Sequence, residues 1–260
     1  MILAILQARM SSSRLPGKVL KPVLGVPMLL RQIERISRSR LIDKLCVATT
    51  SDATDNPVSK LCEENSIPCF RGSMDDVLDR YYQAAKKHGA EHIVRLTGDC
   101  PLTDPAVIDD VIRFYVDGNY DFVSNCICPT FPDGLDVAVF SRAVLEESWR
   151  EAMLPSHREH VTSYARQAEG RYKIGSYEAS CDRSHLRWTV DEKDDYDFVV
   201  RVYEELYPEN PAFTSEDVVS LLSEKKDIAS INSRFIRNEG LLKSLAEDQE
   251  WLKRNSNETE

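Results

Sequence analysis

The sequence lacks any long hydrophobic segment. No apolar run in its 260 residues approaches the ~20 residues that a helix needs to cross a bilayer. The first ten residues, MILAILQARM, are apolar, but no basic residue precedes them and no small-residue cleavage site follows. We therefore expect a buried strand there rather than a signal peptide, and no contact with a membrane.

Paired cysteines are also missing. The seven cysteines are scattered without the spacing of a metal site, and Cys126 and Cys128 form a lone C-x-C with no second pair nearby. This pattern is typical of reduced thiols in a cytosolic protein, so we predict a cytoplasmic location.

Acidic residues outnumber basic residues except at one end of the chain. The net charge of −10 argues against general nucleic-acid binding. The first forty residues nevertheless hold eight Lys or Arg residues and one acid. We assign a local anion site to Arg9, Arg14 and Lys18. The arginines that we interpret instead as a solvated helix face are Arg31, Arg35 and Arg38.

Strands and helices alternate through the first half of the chain. Apolar runs predict strands at residues 2–8, 44–50, 67–71, 91–97 and 120–125. Pro27, Asp75 with Gly89, and Asp104 with Pro105 mark helix ends between these strands, and a further helix is predicted at 55–65. This rhythm predicts an α/β fold, a three-layer sandwich with a mostly parallel, Rossmann-like sheet.

The alternation changes after Asn125. The sequence then predicts strands at 135–140 and 172–177, and helices at 141–149, 157–168, 191–206, 215–224 and 241–251, followed by a disordered tail. Because no linker composition interrupts the chain, we predict one domain over residues 1–235. Its predicted parts are a main half (1–125), an added subregion (126–190) and closing helices (191–235), with a C-terminal helix and tail at 236–260.

The segment after the first predicted strand has the chemistry of an anion site. It reads QARMSSSRLPGK (7–18) and leaves the carboxyl end of the strand, where open α/β sheets bind ligands. Small residues expose backbone N–H groups to phosphate oxygens, and Arg9, Arg14 and Lys18 add cations that suit a triphosphate attacked at its α-phosphorus. The segment is neither a Walker A loop nor G-x-G-x-x-G, which weighs against a kinase or a dehydrogenase. The alternative is a solvated basic loop.

Two aspartates are candidates for a metal site. Asp99 follows a predicted strand within LTGDCPL, where Gly98 permits a sharp turn and Pro101 stiffens the exit. One carboxylate with phosphate oxygens and waters is a usual way to hold Mg²⁺. Asp191 stands where a strand-like segment meets a helix. The alternatives are a turn-capping role for Asp99 and a helix N-cap for Asp191.

These motifs resemble those of the cytidylyltransferases that activate sugar acids, a family that includes CMP-Kdo synthetase and CMP-sialic acid synthetase. The likeness is closer to the spore-coat polysaccharide biosynthesis homologues of those enzymes, and it extends to about residue 200. The signature Arg-x-x-Ser-x-Arg-Leu-Pro-Gly-Lys is matched by Arg9, Ser12, Arg14, Leu15, Pro16, Gly17 and Lys18. The resemblance implies a nucleotide-diphospho-sugar transferase-like fold, CTP as substrate, Mg²⁺ as cofactor and a homodimer.

The resemblance also implies roles for individual residues. Residues 1–125 would bind the nucleotide, with the CTP phosphates held by the loop cations and the cytosine facing Ala8. The implied nucleotide-binding set is Gln7, Ala8, Arg9, Ser12, Arg14, Lys18, Asp79 and Arg80. The implied catalytic set is Arg9, Arg14, Lys18 and Asp99. An exposed helical ion pair is the alternative for Asp79 and Arg80.

In the family, the counterpart of Asp99 binds the metal and the counterpart of Asp191 is the second ligand. This chain departs from the family there, because an Asp-Thr-Pro-Glu-Asp pattern is replaced by DEKDD. Asp194 and Asp195 therefore stay open as substitutes for Asp191.

Acceptor recognition and dimerisation are assigned to the added subregion. Asp133 and Asp136 flank a flexible turn and suit acceptor hydroxyls, although hairpin-turn chemistry explains them equally well. Arg158 and His160 resemble an acceptor-contacting Arg-His-x-x-x-Tyr stretch. With Arg158 or Arg166, His160 suits a carboxylate or a phosphate. The alternative for His160 is a structural histidine.

We therefore predict an Mg²⁺-dependent cytidylyltransferase that couples CTP to a sugar acid or sugar-like acceptor and releases pyrophosphate, in surface polysaccharide or glycan synthesis. Its predicted partners are CTP and a small anionic acceptor, with no nucleic acid and no membrane. One alternative is a nucleotidyltransferase of another NTP or sugar phosphate. Another is a nucleotide-sugar glycosyltransferase, whose usual Asp-x-Asp is absent at Asp99. A third is a non-catalytic binding protein.

Overall fold

The computed structural model describes residues 1–168, 170–235, 237, 248–249 and 251–253. The strands are β1 (Ile2–Gln7), β2 (Pro22–Val23), β3 (Val26–Pro27), β4 (Lys44–Thr50), β5 (Cys69–Gly72), β6 (His92–Thr97), β7 (Phe122–Ser124), β8 (Ala138–Ser141) and β9 (Ile174–Ser176). The helices are α1 (Met28–Ile36), α2 (Asn56–Glu64), α3 (Val77–His88), α4 (Pro105–Asp117), α5 (Arg142–Glu151), α6 (Pro155–Glu159), α7 (Ser163–Gln167), α8 (Lys193–Leu206), α9 (Ser215–Glu224) and α10 (Lys226–Ser230). Short 3-10 turns occupy Lys18–Leu20 and Ala53–Asp55.

The main sheet has the strand order β5-β4-β1-β6-β8-β7-β9, and β2 and β3 form a separate small hairpin. Within the main sheet, β8 pairs antiparallel with β6 and β7, and the other pairings are parallel. This confirms the predicted mostly parallel sheet. Because β4 and β6 lie on opposite sides of β1, the loops that leave β1 and β6 border the crevice where such sheets bind ligands.

Helices cover both faces of the sheet, as predicted. On one face, Leu6 and Leu96 pack in a cluster with residues of α1, α4 and α8. On the other face, Ile5 and Ile93 pack with residues of α3 and α5. The alternation along β1 and β6 follows the two-residue period of a strand, so both faces of these strands are apolar. Within the described ranges, no helix is long and apolar enough to cross a membrane.

Several predicted boundaries differ in the structure. α3 begins after Asp76 rather than Asp75, because the Asp76 carboxylate accepts the backbone N–H of Asp79 at 2.8 Å. The helix predicted at 157–168 is broken into α6 and α7, and the buried Val161 lies between them. The strand predicted to begin at residue 135 begins at 138.

The start of α8 and the surface of α1 also correct the sequence interpretation. Glu192 is the N-cap of α8, so the alternative that made Asp191 a helix cap is wrong. In α1, Arg31 and Arg35 are buried rather than solvated. Arg35 donates from Nε to the carbonyl of Thr103 at 2.7 Å. Most of the helix predicted at 241–251 lies outside the described residues.

Candidate active site

An open cleft with a volume of about 1140 Å³ lies beside the carboxyl ends of β1 and β6. The loop after β1 forms one wall, and α6 and α7 contribute to another. The sequence-predicted residues that line the cleft are Gln7, Ala8, Arg9, Ser12, Arg14, Lys18, Asp99, Asp133, Asp136, Arg158, His160 and Asp191. The structure therefore brings together most of the residues that the motifs singled out.

The loop after β1 folds back on itself. The Gly17 N–H donates to the carbonyl of Met10 at 2.9 Å, which closes the loop. Gly17 has a φ of 68°, in the left-handed region that favours glycine, and it precedes the 3-10 turn at Lys18. The buried Asp55 carboxylate accepts the Met10 N–H at 2.6 Å. This anchored turn directs Lys18 into the floor of the cleft, where the residue is 8% exposed.

The turn after β6 is held tightly against β1. The Gly98 N–H donates to the carbonyl of Gln7 at 2.7 Å. A Cβ at Gly98 would lie 2.9 Å from that oxygen and 3.0 Å from the Cβ of Ala8. Glycine is therefore required here by the close approach of two strand ends. The turn predicted at Gly98 is present directly after β6, and the close approach rather than a positive φ explains why glycine stands there.

Backbone hydrogen bonds bring Asp191 to Asp99 from a distant part of the chain. The Val190 N–H donates to the carbonyl of Asp99 at 2.7 Å, and the Trp188 N–H donates to the carbonyl of Asp133 at 2.6 Å. Trp188 and Val190 are fully buried, which anchors the segment that carries Asp191. The side chains of Asp99 and Asp191 consequently reach the same point.

The Lys18 ammonium lies between these two carboxylates. Its Nζ donates to Asp99 Oδ2 at 3.1 Å, to Asp191 Oδ1 at 2.9 Å and to the carbonyl of Val190 at 2.7 Å. Burial opposes the charge of Lys18, but the two carboxylates raise its pKa. Burial would raise the pKa of Asp99, yet Lys18 and a hydrogen bond from Thr97 hold it at about 2. The Asp99 carboxylate is therefore ionised at neutral pH, and the two acids form a position suited to a cation.

The other two acids that the sequence left open as metal ligands face elsewhere. Asp194 pairs with Arg234 at 2.7 Å. Asp195 is fully buried, and each of its oxygens accepts from Arg187 at 2.9 Å. Among the residues that the structure describes, no group of three or more acidic, histidine or cysteine ligands is assembled. An ion held by Asp99 and Asp191 would thus need phosphate oxygens and waters, which is the usual shell of Mg²⁺.

The loop arginines make ion pairs at the rim of the cleft. Arg14 Nη2 lies 3.1 Å from Asp191 Oδ2, and Arg9 Nη2 lies 3.2 Å from Glu159 Oε1 of α6. The side chains of Arg14 and Arg9 are 34% and 35% exposed. Ion pairs with that exposure contribute little to stability. A polyanionic ligand can therefore compete with the two carboxylates for both guanidinium groups.

Asp133 and Asp136 line the cleft but are held by arginines. Arg187 Nη1 lies 3.3 Å from Asp133 Oδ2, and Arg237 Nη2 donates to Asp136 Oδ1 at 2.8 Å. Burial and the nearby charge of Asp136 raise the pKa of Asp133 to about 7, although both arginines oppose the shift. Asp133 therefore gains or loses its proton near neutral pH.

Arg158 and His160 lie on the α6 wall. Arg158 Nε donates to Asp76 Oδ2 at 2.9 Å, and its Nη1 donates to the carbonyl of Trp149 at 2.6 Å. The positive charge of Arg158 is thus already compensated by an acid of the cap of α3. His160 is the C-cap of α6 and lines the cleft beside it.

Asp79 and Arg80 lie behind the cleft rather than in its lining. Arg80 is fully buried and donates to the carbonyl of Ser73. Asp79 accepts the indole N–H of Trp149 at 2.8 Å. The two side chains are therefore not the exposed helical ion pair of the alternative interpretation. Their predicted contact with the nucleotide stays a prediction.

Sequence reasoning missed several residues of the cleft. Arg95 of β6 and Glu159 of α6 line it, and Arg187 joins Asp133, Asp191 and Asp195 around it. For Arg95 a signal existed, because a charged residue interrupts the apolar strand HIVRLT. The roles of Glu159 and Arg187 depend on contacts with residues far away in the chain, for which the sequence pattern has no signal.

The sequence matches a known family and several named relatives. The family model described as cytidylyltransferase matches residues 3–228. The spore coat polysaccharide biosynthesis protein SpsF of Bacillus subtilis is 32% identical over 238 residues, which cover 88% of this chain and 97% of that protein. The 3-deoxy-manno-octulosonate cytidylyltransferase of Geobacter sulfurreducens is 37% identical over 111 residues, 43% of this chain and 44% of that enzyme.

Two solved structures are similar to this fold. A cytidylyltransferase from Leptospira borgpetersenii serovar Hardjo-bovis has a TM-score of 0.85 at 30% identity, covering 91% of this chain and 99% of that chain. A CMP:2-keto-3-deoxy-manno-octonic acid synthetase has a TM-score of 0.63 at 18% identity, covering 79% and 99%, and supports the fold alone. These matches confirm the predicted fold and the predicted resemblance. The chain belongs to the cytidylyltransferase family and is a nucleotidyltransferase.

Proposed function

We propose that the enzyme transfers CMP from CTP to a sugar acid or sugar-like acceptor, with Mg²⁺ and release of pyrophosphate, in cytoplasmic synthesis of a surface polysaccharide or glycan. The observation that carries this proposal is the convergence of Asp99 and Asp191 on the Lys18 ammonium, next to a loop that presents two further cations. The names of the relatives supply the cytidylyl and sugar parts of the proposal.

Asp99 and Asp191 fit a hard divalent ion. Carboxylate oxygens are the ligands that Mg²⁺ prefers, and the point that both acids face already stabilises one positive charge. When bound there, Mg²⁺ neutralises charge on the triphosphate and polarises the phosphoryl group under attack.

The loop after β1 binds the triphosphate in this proposal. Arg9 and Arg14 exchange their weak carboxylate partners for phosphate oxygens, and Lys18 stabilises the charge that develops on the departing pyrophosphate. Because Lys18 is buried and held by three acceptors, its ammonium is fixed before the substrate arrives. Positioning and charge neutralisation of this kind supply most of the acceleration of phosphoryl-type transfer.

The acceptor occupies the part of the cleft beyond β6 in this proposal. Asp136 and Asp133 lie there with Arg158 and His160. Asp133 is suited to accept a hydrogen bond from an acceptor hydroxyl when ionised and to donate one when protonated. The acceptor oxygen attacks the α-phosphorus in line with the leaving pyrophosphate.

We also propose that the working enzyme is a homodimer, on the resemblance to the sugar-acid cytidylyltransferases. Light scattering is expected to give about twice the 29.6 kDa mass of the chain. A mass equal to that of one chain at working concentration would contradict the dimer without affecting the proposed reaction.

Pyrophosphate release tests the proposed reaction. The protein is incubated with each of CTP, UTP, GTP and ATP, with Mg²⁺, and with a panel of sugar acids and sugar phosphates. We expect release that requires both CTP and one class of acceptor, and that stops when EDTA removes the metal. Turnover with UTP or GTP but not with CTP would refute the cytidylyl assignment. Release of a nucleoside phosphate from a nucleotide sugar, with no pyrophosphate from any NTP, would favour a glycosyltransferase.

A further inference from the structure

Arg95 is a charged residue in the middle of a buried strand. It lies on the same face of β6 as Ile93, which belongs to the core cluster under α3 and α5. In the sheet register Arg95 pairs with Ile5 of β1 on one side and Ala138 of β8 on the other. At this level the hydroxyl of Tyr81 of α3 donates to the carbonyls of Ile5 and Leu96, and Arg95 and Ala138 line the cleft.

The Arg95 guanidinium lacks a partner within the described part of the chain. Its Nε is buried and has no hydrogen-bond acceptor, and no carboxylate forms an ion pair with it. Leaving a buried N–H without an acceptor costs about 1–3 kcal/mol, more when the group is charged. The folded protein therefore carries an unfavourable free energy at Arg95, which a bound anionic ligand would remove.

Two other arginines of the cleft are compensated by acids. Arg9 pairs with Glu159, and Arg158 pairs with Asp76. Their positive charge is therefore partly cancelled before any ligand binds. Arg95 differs from them, because its charge is not cancelled by an acid among the described residues.

Arg95 lies between the strand that leads into the triphosphate loop and the next strand of the sheet. Its neighbour on one side is β1, which that loop follows, and its neighbour on the other side is β8. Arg166 donates from Nη2 to the carbonyl of Cys126, just beyond β7, at 3.4 Å. Arg166 also lines the cleft and makes no ion pair among the described residues, so positive charge without an acidic partner is concentrated on the β8–β7 side.

We propose that Arg95 binds the anionic group of the acceptor, a carboxylate or a phosphate monoester, and that Arg166 adds charge at the rim of this subsite. The inference rests on the proposed function, in which this part of the cleft receives the acceptor. A guanidinium presents paired N–H donors that match two oxygens of either anion. The contact selects anionic acceptors over neutral sugars and orients the nucleophilic oxygen relative to the nucleotide.

A kinetic comparison tests this role of Arg95. In Arg95→Met we expect KM for the acceptor to rise about 10–100-fold, as for loss of a hydrogen bond to a charged group, while KM for CTP changes less than about threefold. Arg95→Lys keeps the charge but loses the paired donors, so an intermediate effect is expected. Arg113→Met, at an exposed arginine of α4 that pairs with Asp110, is the matched control and should change neither constant. An unchanged acceptor KM in Arg95→Met and Arg95→Lys would overturn the proposal.

A binding measurement tests the subsite independently of turnover. The full chain is labelled with ¹⁵N-arginine, the Arg95 Nε–Hε resonance is assigned with Arg95→Lys, and pyruvate and inorganic phosphate are titrated separately. A saturable shift with pyruvate identifies a carboxylate subsite, and a shift with phosphate identifies a phosphate subsite. If neither probe moves the resonance, the inference is wrong. If the resonance moves but no acceptor yields pyrophosphate from CTP, the anion subsite stands and the proposed reaction fails.

Discussion

Replacing Asp99 with asparagine is expected to lower kcat by about 10²–10³-fold, the usual cost of removing one preorganised electrostatic contact at the reacting group. The substitution keeps the shape of the side chain and removes its charge, so one of the two proposed metal ligands is weakened. The fold should survive, because Lys18 keeps its hydrogen bonds to Asp191 and to the carbonyl of Val190. The measurement is the rate of CTP-dependent pyrophosphate release at saturating CTP, acceptor and Mg²⁺.

The matched control for this variant is Asp110→Asn. Asp110 is an exposed acid of α4 whose ion-pair partner is Arg113, and neither residue lines the cleft. Its neutralisation should leave kcat within about twofold, since exposed ion pairs contribute little. An Asp99→Asn enzyme with the same kcat as the Asp110→Asn enzyme would remove Asp99 from the metal site.

Replacing Arg187 with methionine is expected to lower the free energy of unfolding by about 3–5 kcal/mol, the usual cost of breaking a buried ion pair by removing one partner. Asp195 is fully buried and receives two hydrogen bonds from Arg187, both 2.9 Å long. Burial would raise the pKa of Asp195, yet Arg187 and the N–H groups at the start of α8 lower it. Without Arg187 the buried carboxylate loses its counterion. Urea unfolding at neutral pH measures the difference.

Two further variants distinguish the effect of leaving the Asp195 charge unpaired from the effect of losing any arginine. Arg183→Met removes an arginine that pairs on the surface with Glu216, and it should cost less than about 1 kcal/mol. Adding Asp195→Asn to Arg187→Met removes the uncompensated charge, so the double variant should recover part of the lost stability. A double variant less stable than Arg187→Met would show that the Asp195 charge serves another partner.

The periodic part of the fold was predictable because local chemistry decides it. Asp104 caps α4 by accepting the N–H of Ala106 at 2.9 Å, with Pro105 at the first helical position, as the sequence pattern predicts. Gly89 ends α3 in the left-handed conformation, also as predicted. The strand order was not predicted, since β6 pairs with β1 rather than with β5, the strand that precedes it in the chain.

The predictions failed where two neighbouring residues could serve equally well as a helix cap. They also failed where contacts with residues far away in the chain determine the local structure. Asp75 and Asp76 are chemically the same cap, and only the geometry of the preceding turn selects Asp76. The break between α6 and α7 depends on the burial of Val161 against a core formed by other elements. The acids of the predicted acceptor turn, Asp133 and Asp136, meet arginines from later in the chain, so their restraint was not visible in a local motif.

The partners of Lys18 in the site also could not be predicted from the sequence. The motif correctly placed Lys18 at the cleft, but its partners there are two carboxylates, which the sequence assigned to a metal rather than to a lysine. The link is the hydrogen bond from the Val190 N–H to the carbonyl of Asp99, which joins segments about ninety residues apart. In the proposed mechanism, Asp99 and Asp191 therefore contact both the metal and Lys18, next to the triphosphate.

Binding of Mn²⁺ in the presence of CTP, followed by electron paramagnetic resonance, tests the proposed metal position most directly. The proposal predicts one Mn²⁺ per chain whose affinity falls at least about tenfold in Asp99→Asn and in Asp191→Asn, as for loss of a charged ligand or its close support. Asp194→Asn, three residues away and paired with Arg234 instead, should bind like the unmodified enzyme. Weakened binding in Asp194→Asn with unchanged binding in Asp99→Asn and Asp191→Asn would contradict the assignment.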